Sequence, residues 1–195
     1  MIDINALEKH PRFKHSLGVM EMALKLNEHY YYGVNVNKIK EASLLHDITK
    51  NLSDEENLEI IKKYLPNLLT KELLMVPQIW HSFTGAVIAK IKYNIDDEEV
   101  LRAIFYHTTG RSNMSDLEKL IFLSDYTELG RVGKYFECVR ALSFENIDKA
   151  IVVMLEEQFK YLKGKNLTVY PLSVETYNYY KEVIKNAWRF IKNTW

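Results

Sequence analysis

A chain of 195 residues, 47% apolar and 27% charged, is sized for one domain with a core of its own. Lysine plus arginine and aspartate plus glutamate are equal at 26 each, so no basic surplus points to nucleic acid and no acidic tail to a charged partner. The single cysteine, Cys138, excludes an internal disulfide, suits a reducing cytoplasm and reads as a small packing residue. No stretch nears the roughly 20 apolar residues of a membrane span, and Met1 to Lys9 carries acids where a signal peptide has an apolar run.

In chain order the signals are helical. From Arg12 to Tyr32 the row Val19, Met22, Leu26 keeps helical spacing, and Gly33 follows as a stop. Asn37 can cap a second helix through Ile39, Ala42 and Leu45. Ser53-Asp54-Glu55-Glu56 matches a capping box, and Pro66 ends the helix it opens. A further helix begins near His81. Asp96 to Glu99 places acid in the first turn of another, through Val100, Ala103 and Ile104. Ser115 to Glu118 is a second capping box, opening a helix that reaches Asp125. Gly130 and Gly133 mark a turn, and Ile147 to Tyr161 is amphipathic. Gly164 to Pro171 connects to a last helix, capped by Ser173 and rich in tyrosine. Strand alternation is weak throughout. The pattern predicts an all-α, single-domain helical bundle over residues 1–195, with a C-terminal helical extension from about 165.

His46 and Asp47 stand together at the end of an apolar helical segment. His15 shares the inward face of Val19, Met22 and Leu26. His81 lies at helical spacing from Gly85 and Ile88, His107 from Val100 and Ile104, and Asp125 from Leu117 and Ile121. A lone inward histidine is more often a hydrogen-bonded core residue than a ligand, and His10 and His29 take that reading. The inward aspartates resist it. A buried carboxylate without a partner costs several kcal/mol, and no arginine sits at helical spacing on the same face as Asp47 or Asp125. A divalent cation would offset both charges and use the imidazoles. Imidazole with carboxylate suits iron, manganese, cobalt, nickel or zinc, and with no thiolate cluster a structural zinc site is disfavoured. Six candidates suit two ions, with Asp47 as bridge. Such a pair stabilises attacking and leaving oxygens at phosphorus.

Further blocks accompany these residues. The order His15, His46-Asp47, Asp125 resembles the HD-domain superfamily of metal-dependent phosphohydrolases. Arg12 to Val19, Trp80-His81-Ser82, Tyr106 to Arg111, Ser124 to Arg131 and Tyr170 to Glu175 resemble the motifs of its bacterial YqeK family. One departure is Ile48-Thr49 between Asp47 and Lys50. The resemblance implies an all-helical HD fold and symmetrical hydrolysis of diadenosine tetraphosphate, a dinucleoside polyphosphate, to two ADP. It implies one or two divalent ions, physiologically iron, with manganese, cobalt, nickel or magnesium as alternatives. By motif position, His15, His46, Asp47 and Asp125 would hold one ion, and His81 and His107, with Asp47, would hold or face the second. ADP contacts would fall on Arg12, Asp47, His81, His107, Thr108, Arg131, Tyr170, Pro171, Leu172, Ser173, Val174 and Glu175.

Asp47 and Lys50 are the catalytic candidates. Lys50, three residues after Asp47, can project toward a phosphate or remain a solvated lysine at a helix end. Arg12, Arg111 and Arg131 can fork phosphate oxygens or serve as solvated turn residues. Tyr177 to Tyr180 read as a packing or oligomer surface, which leaves a homodimer open. Two alternatives stand beside the hydrolase: an HD protein that binds a nucleotide or alarmone without turnover, and an HD phosphohydrolase acting on another nucleotide.

Overall fold

The structure, a computed structural model, describes residues 7–194. Among them are ten α-helices and no strand: α1 (Phe13–Tyr30), α2 (Val36–Leu45), α3 (Asp54–Tyr64), α4 (Lys71–Leu74), α5 (Trp80–Tyr93), α6 (Glu98–Phe105), α7 (Asp116–Thr127), α8 (Lys134–Glu145), α9 (Ile147–Gly164) and α10 (Pro171–Thr194). The predicted all-α class holds.

Both predicted capping boxes form, at Ser53 with Glu56 and at Ser115 with Glu118. Each closes two backbone donors that a helix start leaves open. Two caps differ from expectation. Asn35, not Asn37, caps α2, because its side chain accepts from the Asn37 amide. Pro171, not Ser173, opens α10, since its fixed φ fits the first helical position and its missing N–H has no partner to lose there. The spacing signals left α8 unmarked, and the reason is visible: it buries only Val139 and Ser143. Cys138 beside them is exposed rather than packed, one helical step off that narrow inward stripe.

α7 is the axis of the molecule. Its Leu117, Leu120 and Ile121 join Leu26 of α1, Ile39 and Leu45 of α2 and Ile104 of α6 in one core. Its Phe122 and Leu123 face a second core with Ile151 and Leu155 of α9 and Tyr180 of α10. Each such side chain contributes roughly 1.5–3 kcal/mol by leaving water. A third cluster, with Ile61, Leu73, Trp80 and Phe83, ties α3 and α4 to the start of α5. Of the tyrosine-rich segment, Tyr180 is buried with its hydroxyl accepting from the Met114 amide, and Tyr177 donates to Glu156. Both are packing residues within the chain.

Gly110 joins the turn after α6 to α10. Its φ is +62°, and a Cβ there would lie 2.6 Å from Thr176 Cγ2. Gly110→Ala is therefore expected to destabilise by about 1–3 kcal/mol, from left-handed strain alone before the collision is counted. Thermal or urea unfolding measures it.

Candidate metal centre

Five elements deliver the candidate ligands. His15 is in the first turn of α1, His81 is the second residue of α5, and Asp125 is in the last turn of α7. His46 caps the C-terminus of α2, and Asp47 follows as the chain leaves the helix. His107 lies just beyond α6, in the turn after it rather than within the helix as its spacing suggests. Three of these positions are helix C-terminal ends, whose unpaired carbonyls favour positive charge nearby.

The six side chains meet around Asp47. Its Oδ2 faces His46 Nε2 at 3.5 Å and His15 Nε2 at 3.8 Å. His15 Nε2 is 2.9 Å from Asp125 Oδ1 and 3.3 Å from His46 Nε2. The other oxygen, Oδ1, faces His81 Nε2 at 3.3 Å and His107 Nε2 at 3.5 Å. Two groups thus share one carboxylate: His15, His46, Asp47 and Asp125, and Asp47, His81 and His107.

The protonation pattern suits a cation. His46 Nδ1 lies 2.7 Å from the Ser43 carbonyl and His107 Nδ1 lies 2.7 Å from the Ile104 carbonyl. A carbonyl only accepts, so each Nδ1 carries the proton and each Nε2 presents its lone pair to the cluster. His107 Nε2 is buried with no hydrogen-bond partner among the described residues. An orphaned buried acceptor is costly unless something electrophilic meets it. Burial pushes the His46 and His81 imidazoles down to about 4, against the pull of Asp47, so both stay neutral near pH 7. Burial alone would raise the carboxyls. The neighbouring imidazoles outweigh it and hold Asp47 and Asp125 below the usual range, ionised. Neutral imidazoles around ionised carboxylates are the donor set of a divalent ion, and the residues fit one.

The aspartates also have arginine partners, which helical spacing along their own elements did not reveal. Arg12 Nε and Nη2 both lie 2.8 Å from Asp47 Oδ2, and Arg131 Nη2 lies 3.2 Å from Asp125 Oδ1. Both cations arrive from other segments: the residue before α1 and the loop after α7. His10 braces the first, accepting from the Arg12 amide at Nδ1, while His29 meets the Phe144 carbonyl. Neither joins the cluster. Arg111 is taken up elsewhere: its guanidinium forks Glu118 at 2.7 and 2.6 Å, which secures the α7 capping box.

A cavity of about 260 Å³ opens on the cluster. Lys50, His81, His107, Thr108 and Asp125 line one end, and Phe159, Leu162, Thr168, Tyr170 and Ser173 line it further out. Lys50 is exposed as a whole, but its ammonium lies 3.3 Å from both nitrogens of His81. Burial of that ammonium lowers its pKa, and Arg12 and Arg131 act in the same direction. Thr108 donates to Ser82 Oγ at 2.9 Å. Of the Tyr170 to Glu175 segment, only Tyr170 and Ser173 line this cavity. Val174 lines a separate surface groove, and Pro171 and Glu175 are exposed. The α9 wall, Met154, Gln158, Phe159 and Leu162, went unnoticed in the sequence because its residues read as one face of an amphipathic helix.

Thr49, part of the departing Ile48-Thr49 pair, has a clear place. Its hydroxyl donates to the His81 carbonyl at 2.9 Å and meets Thr84 Oγ1 at 2.8 Å, in a buried network that reaches Asn57. It fastens the start of α5, and with it His81, to the turn that carries Asp47.

Comparison with known proteins agrees with this geometry. The HD domain family model matches residues 12–130. The chain is 38% identical over 180 residues to the symmetrical bis(5'-nucleosyl)-tetraphosphatase of Staphylococcus aureus, covering 90% of each. It is 36% identical to the protein of that name from Halalkalibacterium halodurans, covering 86% of this chain and 87% of the relative. A crystal structure from Clostridium acetobutylicum, described as a predicted HD superfamily hydrolase involved in NAD metabolism, superposes with a TM-score of 0.87. Its sequence is 33% identical, and the match covers 93% of this chain and 98% of that one.

Proposed function

The chain belongs to the HD-domain family, in its YqeK branch, and from that premise we propose that it hydrolyses diadenosine tetraphosphate symmetrically to two ADP. The observation that carries the reading is the division of Asp47, one oxygen facing His15 and His46 and the other facing His81 and His107. His15, His46, Asp47 and Asp125 would hold one divalent ion, and Asp47, His81 and His107 a second. Such ions, when bound, activate water and neutralise charge developing at phosphorus. We propose iron as the physiological metal, as the family resemblance implies; a donor set of imidazole and carboxylate without thiolate accommodates it. Manganese, cobalt, nickel and magnesium are the substitutes to test.

The rest of the chemistry belongs to the side chains. One nucleoside diphosphate half enters the cavity, its base against Phe159, Leu162 and Tyr170. Its phosphates come within reach of Lys50 and Thr108 at the inner end. Arg12 and Arg131 each hold an aspartate along one edge of the guanidinium, and the phosphates of the other half take the remaining donors. These cations offset the charge of a polyphosphate that the carboxylates alone would repel. We read the chain as a single HD domain with a helical extension from about residue 165, which closes the outer cavity with Tyr170 and Ser173. We also propose a cytoplasmic location, in keeping with its one cysteine. No helix among the described residues is long and apolar enough to cross a membrane.

Anaerobically purified protein, loaded with iron(II) or manganese(II) and given diadenosine tetraphosphate, is expected to yield ADP alone. ATP with AMP would overturn symmetrical cleavage, and binding without turnover would overturn the hydrolase.

A further inference from the structure

We infer that Glu128 is a positioning residue: its carboxylate orients His15 and fixes the tautomer that leaves Nε2 free for a metal ion. The inference rests on the metal reading of the site. Glu128 lies just past α7, three residues after Asp125, and is buried. Its Oε1 is 3.2 Å from His15 Nδ1, and its carboxylate also accepts from the Gly130 amide through Oε2. His15 stands between two carboxylates, Glu128 at Nδ1 and Asp125 Oδ1 at 2.9 Å from Nε2. A cation taken up at Nε2 leaves Nδ1 as the place of the proton, held there by Glu128, which can only accept. The lone pair is then on Nε2, the atom that faces Asp125, His46 and Asp47.

The surroundings are shaped for this carboxylate. A Cβ on Gly18 would lie 2.6 Å from Glu128 Oε2, and one on Gly130 would lie 2.8 Å from it. Gly18 is three residues after His15, on the same face of α1, so that helix presents the imidazole and the gap beside it together. The loop itself is clamped from α8: Arg140 donates to the carbonyls of Thr127, Glu128 and Arg131. A glutamine would have the same shape but one acceptor oxygen. It could satisfy His15 or the Gly130 amide, not both.

Metal-stripped full-length protein and the Glu128→Gln variant should be titrated calorimetrically with manganese(II). The expected result is a 10–100-fold weaker dissociation constant in the variant, with the unfolding midpoint of the metal-free protein little changed. A variant that binds within twofold of wild type would overturn the role of Glu128. A second measurement needs no variant: nitrogen-15 NMR of the wild-type protein loaded with diamagnetic zinc(II). Coordination through His15 Nε2 with a protonated, hydrogen-bonded Nδ1 is expected, and coordination through Nδ1 would overturn the inference. Wild-type protein that binds neither ion would overturn the metal reading itself. Neither measurement involves turnover, so a wrong substrate leaves this test intact.

Discussion

Asp47→Ala is expected to abolish turnover of diadenosine tetraphosphate, with kcat lowered by at least about 10³-fold. Removal of a single electrostatic group in an active site already costs on the order of 10²–10³, and Asp47 serves two groups at once. Its Oδ2 answers His15 and His46, its Oδ1 His81 and His107. The substitution also leaves Arg12 without its carboxylate and two imidazole pairs without the charge that draws them together. Asp47→Asn refines the test. It keeps the shape but offers one oxygen and a cationic-ion-repelling amide edge, so a wild-type content of two ions per chain, as proposed, should fall to one or fewer. Metal analysis with steady-state kinetics on both variants checks this. Wild-type turnover in Asp47→Ala would refute the bridge, and an Asp47→Asn protein holding two ions would refute the division of its oxygens.

The legible part of this molecule was local. Caps at Ser53 and Ser115, the period of Val19, Met22 and Leu26, and the inward placement of His15, His46, His81 and Asp125 follow from neighbours along one helix. Physical chemistry then converts misplaced charge into a metal hypothesis, because Asp47 cannot be buried alone at small cost. What stayed hidden depends on contacts between elements. Arg12 reaches Asp47 across 35 residues, and Arg131 turns back on Asp125 from a loop, so neither pair could be found by spacing along a helix face. Glu128, present in the sequence reading only within the Ser124 to Arg131 block, has its place because Gly18 of a distant helix makes room for it. Arg111, a plausible phosphate fork by its glycine neighbour, instead had a closer carboxylate in Glu118. Cys138 was misplaced because α8 buries too narrow a stripe for its inner face to be read.

Lys50→Met separates charge at the phosphates from metal binding. The expected outcome is a fall in kcat of about 10²–10³-fold, the range for loss of one preorganised charge in an active site. Metal content should stay at the wild-type level, because Lys50 can only donate and cannot be a ligand while protonated. Its ammonium lies 3.3 Å from the His81 nitrogens at the inner end of the cavity. In the proposed binding mode the phosphates of the bound half come within its reach. Methionine preserves the length and the apolar stem, so packing around the stem is retained while the cation is lost. Lys50→Arg is the informative companion. A guanidinium restores the charge but not the compact shape, and partial recovery of kcat is expected. A solvated lysine with no role would give wild-type kcat in Lys50→Met. Loss of metal in that variant would instead show that Lys50 acts through His81, by holding the imidazole against Asp47 Oδ1, and not on the phosphates.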